Sequence, residues 1–113
     1  MTLHRRNELV CLAREYDALV ITDDVYDFLQ WPSKNGSGDQ SLRHAMLPRL
    51  VDVDRFLDGG ADRKGADGFG NVASNGSFSK ISGPGLRTGW VEGSEKFAYG
   101  VSQTFVSVFH LAY

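Results

Sequence analysis

Asn75-Gly76-Ser77-Phe78-Ser79-Lys80, with Gly83-Pro84-Gly85-Leu86-Arg87-Thr88-Gly89-Trp90 close behind it, is the stretch from which the rest of the chain is read. It gathers one lysine, two hydroxyls, one arginine and several glycines into a short span. An amine that attacks a carbonyl must first lose its proton, which burial and a neighbouring cation such as Arg87 both favour. The hydroxyls of Ser77 and Ser79 can donate hydrogen bonds to an anion, and a guanidinium can fork onto two phosphate oxygens. Together these groups point to a phosphorylated aldehyde held on Lys80 as a Schiff base. The competing reading is a glycine-punctuated β-turn with an exposed lysine. It accounts for the glycines and leaves the joint placing of Ser77, Lys80 and Arg87 unexplained.

Upstream, Ala18-Leu19-Val20-Ile21 is an unbroken apolar run, the pattern of a parallel strand buried on both faces. Asp23, Asp24 and Tyr26 fall at its carboxyl end, where ligands sit in open α/β sheets. The alternative is that both aspartates cap a strand-to-loop turn. Before the run, residues 5–16 read as a helix with Leu9, Leu12, Ala13 and Tyr16 as its apolar stripe. Arg5, Arg6, Glu8, Arg14 and Glu15 take the wetter side. Cys11 reads as an ordinary helix residue and His4 as part of a solvated terminus.

The string SFSKISGPGLRTGW resembles the cofactor-lysine segment of the class I and II aminotransferases, fold-type I enzymes that depend on pyridoxal phosphate. Ile21-Thr22-Asp23-Asp24-Val25-Tyr26 is similar to the D-x-x-Y element that the family carries upstream of its lysine. The two motifs stand in the family's order, and the resemblance runs from about Arg5 to Gln103. It implies that Lys80 carries the cofactor, Asp23 pairs with the ring nitrogen and Tyr26 with the 3-oxygen. Ser77, Ser79 and Arg87 would hold the phosphate, while Asp24 has no equally clear duty. A carboxylate partner keeps the ring nitrogen protonated, which makes the ring an electron sink. The freed lysine then serves as general base and acid in the proton shift.

The fold implied is α/β, an incomplete piece of the mainly parallel, three-layer α/β/α large domain. Residues 1–103 correspond to that partial domain and 104–113 to a divergent tail. Family members are several times longer, so the chain is expected to be a fragment or a truncated gene product. Their further phosphate donors, ring-stacking aromatic, upstream asparagine, substrate-gripping arginine and small domain have no counterpart here. The implied reaction passes an amino group from an amino acid to a 2-oxo acid in a homodimer, with the fragment inactive alone. Two alternatives stay open: a non-catalytic remnant that binds cofactor weakly or pairs with an intact homologue, and a fold-type I lyase or decarboxylase.

Between the motifs the composition shifts. Seven of the 13 glycines lie between Lys34 and Gly70. Residues 34–40 and 59–70 read as mobile surface loops, without the spacing of a phosphate-binding P-loop. Phe28, Leu29 and Trp31 read as packing anchors, residues 41–46 as a helical turn and 50–53 as a short strand. Asp52 and Asp54, with His44, lack metal-ligand spacing and read as solvated charges. Residues 71–77 form a weak strand in which Gly76 permits a close backbone approach or a positive φ just before Ser77. Residues 83–85 turn the chain so that Arg87 returns beside Lys80. Residues 89–93 make the next strand, and Ser94 caps a helix through Phe97 and Val101. The apolar tail from Thr104 fits either read-through into foreign sequence or local divergence, and His110 within it has no assigned role.

The 113 residues carry a net charge of -2, 42% hydrophobic and 23% charged residues. That is an ordinary globular composition with no basic footprint for nucleic acid. A lone cysteine excludes an internal disulfide and suits a reducing compartment, hence an expected cytoplasmic location. No apolar run is long enough to span a bilayer.

Overall fold

The computed structural model describes residues 1–29 and 48–110. Helix α1 spans Leu3–Glu15, and Thr2 caps it by accepting a hydrogen bond from the Arg5 N–H at 3.4 Å. Asp17 then takes a left-handed conformation (φ 47°) that a short polar side chain tolerates. The Ala18 N–H closes the turn on Ala13 O at 2.8 Å. The helix lies where the sequence places it, but its inward face is displaced from the expected stripe. Val10 and Ala13 are buried, whereas Leu12 and Tyr16 are 51% and 72% exposed. Arg14, expected on the wet side, lies inward with its side chain 11% exposed.

Strand β1, Val20–Asp23, pairs in parallel with β2, Val72–Ser77, in the register Val20↔Val72 through Asp23↔Asn75. Strand β3, Gly89–Glu92, runs antiparallel to β2, with Gly76 opposite Trp90 and Ser74 opposite Glu92. The sheet is therefore small and mixed, in the order β1-β2-β3. Val20 and Val72 face the core, together with Val10, Leu50, Val51 and Val53. The alternate positions of the edge strands do not. Ile21 is 69% exposed and Leu19 and Val91 are also open, so β1 is buried on one face and not on both as the apolar run predicts. An unbroken run signals two-sided cover only where a second layer supplies it.

Residues 50–53, expected as a strand, open helix α2, Leu50–Phe56. Asp52 accepts from the Arg49 N–H at 2.9 Å, the reciprocal contact of a helix N-terminus. Asp54, expected to be solvated, is 4% exposed. Its Oδ1 accepts from Arg14 Nε and Nη2 at 3.2 and 3.0 Å. Its Oδ2 accepts from the Asn71 and Val72 N–H groups at 2.7 and 3.1 Å. Arg14 also donates to the Leu57 carbonyl at 3.0 Å, so α1, α2 and the start of β2 share one buried polar knot.

The glycine-rich residues 59–70 are a structured turn region more than a loose linker. Gly60 is buried with φ 63°, and a Cβ there would lie 2.2 Å from the Arg55 carbonyl oxygen. Arg63 bridges back to the Asn71 side chain at 2.8 Å. Helix α3, Glu95–His110, is capped by Ser94, whose Oγ accepts from the Phe97 N–H at 3.1 Å. It continues through Gln103, where the resemblance ends. The expectations for residues 34–40, 41–46, Trp31 and His44 lie outside the described residues.

Candidate functional site

Because β1 and β2 are parallel, their carboxyl ends share one edge of the sheet, and the two motifs meet there. Asp23 stands beside Asn75, whose Nδ2 donates to Asp23 Oδ1 at 3.1 Å. One residue on, the Asp24 N–H donates to Asn75 O at 2.8 Å and prolongs the ladder past the strand. The Asp24 side chain turns the other way. Its Oδ2 accepts from Thr22 Oγ1 and Ser74 Oγ, each at 2.5 Å, so it stitches β1 to β2. The chain then turns tightly, Asp27 N–H to Asp24 O at 3.1 Å, and presents Tyr26, which is 57% exposed.

On the β2 side, Ser77 caps a single turn of 3-10 helix, Phe78–Lys80, by accepting from the Ser79 N–H at 3.1 Å. That turn brings Lys80 toward the turn that follows β1: its ammonium lies 5.6 Å from the centre of the Tyr26 ring. This is cation–π range. Lys80 is exposed, so the burial expected for it is not supplied by the described residues. A second 3-10 turn, Pro84–Leu86, packs against the first. Arg87 follows in a left-handed conformation (φ 48°, ψ 33°). Its guanidinium donates to Pro84 O at 3.4 Å and is exposed. The structure thus brings Lys80 to Tyr26, three residues past Asp23 at the end of β1. Arg87 stays hydrogen-bonded within its own turn.

Trp90 props the lysine turn from behind. Its ring meets Phe78 edge-on at 5.0 Å and Phe28 at 6.2 Å. A Cβ on Gly76 would fall 2.2 Å from the indole, so the close approach expected at Gly76 is made by Trp90. Phe28, Phe78, Ile81 and Trp90 line an apolar recess of about 340 Å³. Phe28 packs as anticipated, although it remains 59% exposed.

Beneath the Tyr26 turn lies a charge network that sequence reading missed. Arg49 reaches Asp27 at 3.3 Å, Asp52 at 3.1 Å and Glu92 at 2.8 Å, and Arg55 also reaches Glu92 at 2.8 Å. Burial works against the Arg49 charge, yet the hydrogen bonds to Asp52 and Glu92 win and hold the guanidinium more firmly protonated than usual. Burial pushes the Asp52 carboxyl up, but the Arg49 hydrogen bonds outweigh it and its pKa is lowered. Glu92 is lowered chiefly by its hydrogen bond from Arg49, against a smaller effect of burial. Asp27 is raised, first by burial and then by Asp24, with Arg49 opposing. The signal was present only as scattered charges, because the partners lie up to 43 residues apart. Among the described residues no three His, Cys, Asp or Glu side chains gather as metal ligands, and no helix is long and apolar enough to cross a membrane.

The donor set fits pyridoxal phosphate: an amine, a carboxylate, a phenol and two serine hydroxyls at one strand edge, with a guanidinium nearby in sequence. Comparison with known proteins bears on the same point. The chain is 42% identical over 91 residues to an uncharacterized protein of Saccharomyces cerevisiae, covering 80% of this chain and 18% of that one. It is 32% identical over 105 residues to an aromatic amino acid aminotransferase of Schizosaccharomyces pombe, covering 86% and 20%. It is 35% identical over 104 residues to an L-tyrosine:2-oxoglutarate aminotransferase of Tapinella panuoides, covering 87% and 18%. No family model matches the chain, and no solved structure matches it significantly.

The chain is thus a small α/β segment related to transferases of amino groups. Over the stretch it shares with them it is similar to aminotransferases, and it spans about a fifth of the length of the curated relatives it matches.

Proposed function

We propose that this chain forms part of the pyridoxal-phosphate site of an aminotransferase that moves an amino group from an amino acid to a 2-oxo acid. The observation that carries the reading is the meeting of Lys80 with Tyr26, beside Asp23, at the carboxyl ends of adjacent parallel strands. Lys80 would attach the cofactor. Asp23 would hold a proton on the ring nitrogen, and Tyr26 would donate its phenol to the 3-oxygen. Ser77, Ser79 and Arg87 would hold the phosphate, Arg87 after leaving its bond to Pro84 O. When bound, the cofactor supplies the electron sink that the amino acid chemistry needs. Lys80 Nζ is the group here able to hold or release a proton next to the reacting carbon.

The same reading places the segment in the three-layer large domain of fold-type I enzymes, in a homodimeric, cytoplasmic protein. The relatives' names favour aromatic amino acid or tyrosine substrates, with 2-oxoglutarate as acceptor for the tyrosine enzyme.

The test is direct. The purified chain is mixed with pyridoxal phosphate, the yellow band of the lysine-bound cofactor is sought, and borohydride trapping with peptide mapping locates it. An adduct on Lys80 is expected, with weak affinity and no turnover when glutamate or an aromatic amino acid is added. An adduct confined to other lysines, or none, sinks the reading.

A further inference from the structure

We infer that Asn75 is a positioning residue for Asp23: its side-chain amide holds one carboxylate oxygen and leaves the other to the protonated ring nitrogen of the cofactor. The inference rests on the cofactor reading above. Asn75 and Asp23 are register partners at the end of the parallel ladder, and Nδ2 donates to Oδ1 at 3.1 Å. Among the described residues this is the one hydrogen bond to the Asp23 side chain. Only the NH2 side of an amide can face an ionised carboxylate, which is an acceptor alone, so the orientation of Asn75 is fixed by its partner.

Three features argue that the contact serves the site more than the fold. First, the backbone at this point is secured without it. Asp24 N–H bonds Asn75 O, and the Asp24 carboxylate ties Thr22 to Ser74. Second, asparagine is disfavoured in strands, and here it occupies the middle strand of the sheet, exposed. Third, the donor is neutral. A lysine or arginine at 75 would orient Asp23 equally well but would cancel the charge that a protonated ring nitrogen needs. An amide orients the carboxylate and leaves its charge intact.

The experiment uses the whole chain in native, Asn75→Leu, Asn75→Gln and Asp23→Ala forms. Without cofactor, the Asn75 side-chain amide protons are expected downfield in the NMR spectrum of the native chain and shifted back in Asp23→Ala. Amide resonances indifferent to Asp23→Ala would overturn the inference. With ring-¹⁵N pyridoxal phosphate, Asn75→Leu is expected to raise Kd about tenfold, the size of one charge-assisted hydrogen bond. Its ring nitrogen should also lose its proton at lower pH than in the native chain, with Asn75→Gln recovering most of both effects. A leucine variant within about twofold of native affinity, on a scale where tenfold is 1.4 kcal/mol, and with the same ring-nitrogen titration, would refute the role of Asn75. That outcome leaves the cofactor reading standing, provided Lys80 still forms the adduct. Failure of the native chain to form an adduct on Lys80 refutes the cofactor reading instead, and the amide resonances still decide whether Asn75 grips Asp23.

Discussion

Replacing Asp54 by alanine removes the acceptor at the centre of the knot that joins both N-terminal helices to the middle strand. Asp54 is 4% exposed, and its carboxylate takes two bonds from Arg14 and two from backbone N–H groups of Asn71 and Val72. Asp54→Ala would leave a guanidinium 11% exposed with the Asp54 and Leu57 carbonyls, and Asp58 at 3.7 Å. Breaking a buried pair on one side costs about 3–5 kcal/mol. Each buried N–H left without a partner adds about 1–3 kcal/mol. Arg14 keeps some partners, so a net loss of about 4 kcal/mol is expected, a large share of the roughly 5–15 kcal/mol typical of a domain. Urea unfolding followed by far-UV circular dichroism measures it. With a slope of about 2 kcal/mol per molar, the midpoint should fall by about 2 M. Pairing Asp54→Asn with Arg14→Met should lose less than Asp54→Asn alone, because the stranded cation is gone. A midpoint for Asp54→Ala within about 0.3 M of native, under 1 kcal/mol at that slope, would refute the reasoning.

Gly76→Ala forces a methyl against the Trp90 indole. It should destabilise by about 1–3 kcal/mol and blue- or red-shift the tryptophan emission, and Gly76→Ala with Trp90→Ala should recover part of the loss against Trp90→Ala alone. If the single variant melts with the native chain, the close packing is wrong. Lowered carboxyl pKa values at Asp52 and Glu92 mean that the folded state binds fewer protons there than the unfolded chain. Their contribution is therefore complete above the ordinary carboxylate range and is lost as pH falls below about 4. The raised Asp27 opposes this, since protonating it favours the fold as pH falls through its raised value. A pH series of thermal melts should show the net acid loss, and Arg49→Met should flatten it; an unchanged slope in that variant would exclude the network as its source. Arg87→Lys should weaken pyridoxal phosphate binding about tenfold, because an ammonium lacks the planar fork, whereas Arg5→Lys should leave it unchanged. Equal effects at both positions would remove Arg87 from the phosphate site.

What could be read from the sequence was what local pattern carries. Ala18 to Ile21 announced a strand by its apolar run, although the strand itself is shifted to Val20–Asp23, and Ser94 announced a helix by its hydroxyl. That Tyr26 and Lys80 serve one site was implied by the family resemblance, and the parallel pairing of β1 with β2 is what brings them together. The misreadings of residues 50–54 and of the inward face of α1 share one cause, which is that charged residues were assumed to face water. Val51-Asp52-Val53-Asp54 alternates like a half-buried strand if both acids are wet. Asp54 is interior because Arg14, 40 residues earlier, pairs with it, and Asp52 is spent on the helix start. The same assumption displaced the inward face of α1, since Arg14 was counted as solvent-facing. No window along the chain could reveal a pairing across that distance. Asn75 was hidden for another reason: its significance depends on register, and only the ladder shows that it stands opposite Asp23.

The left-handed backbone at Arg87 has a consequence for how this segment responds to selection. A residue with a Cβ in that conformation bears about 1 kcal/mol of strain that glycine would not. Screening variants for thermal resistance alone would therefore enrich glycine at position 87 and discard the one guanidinium assigned to the phosphate. Fold robustness and ligand retention pull this residue in opposite directions, so a library sorted by both criteria should separate into two populations at that codon.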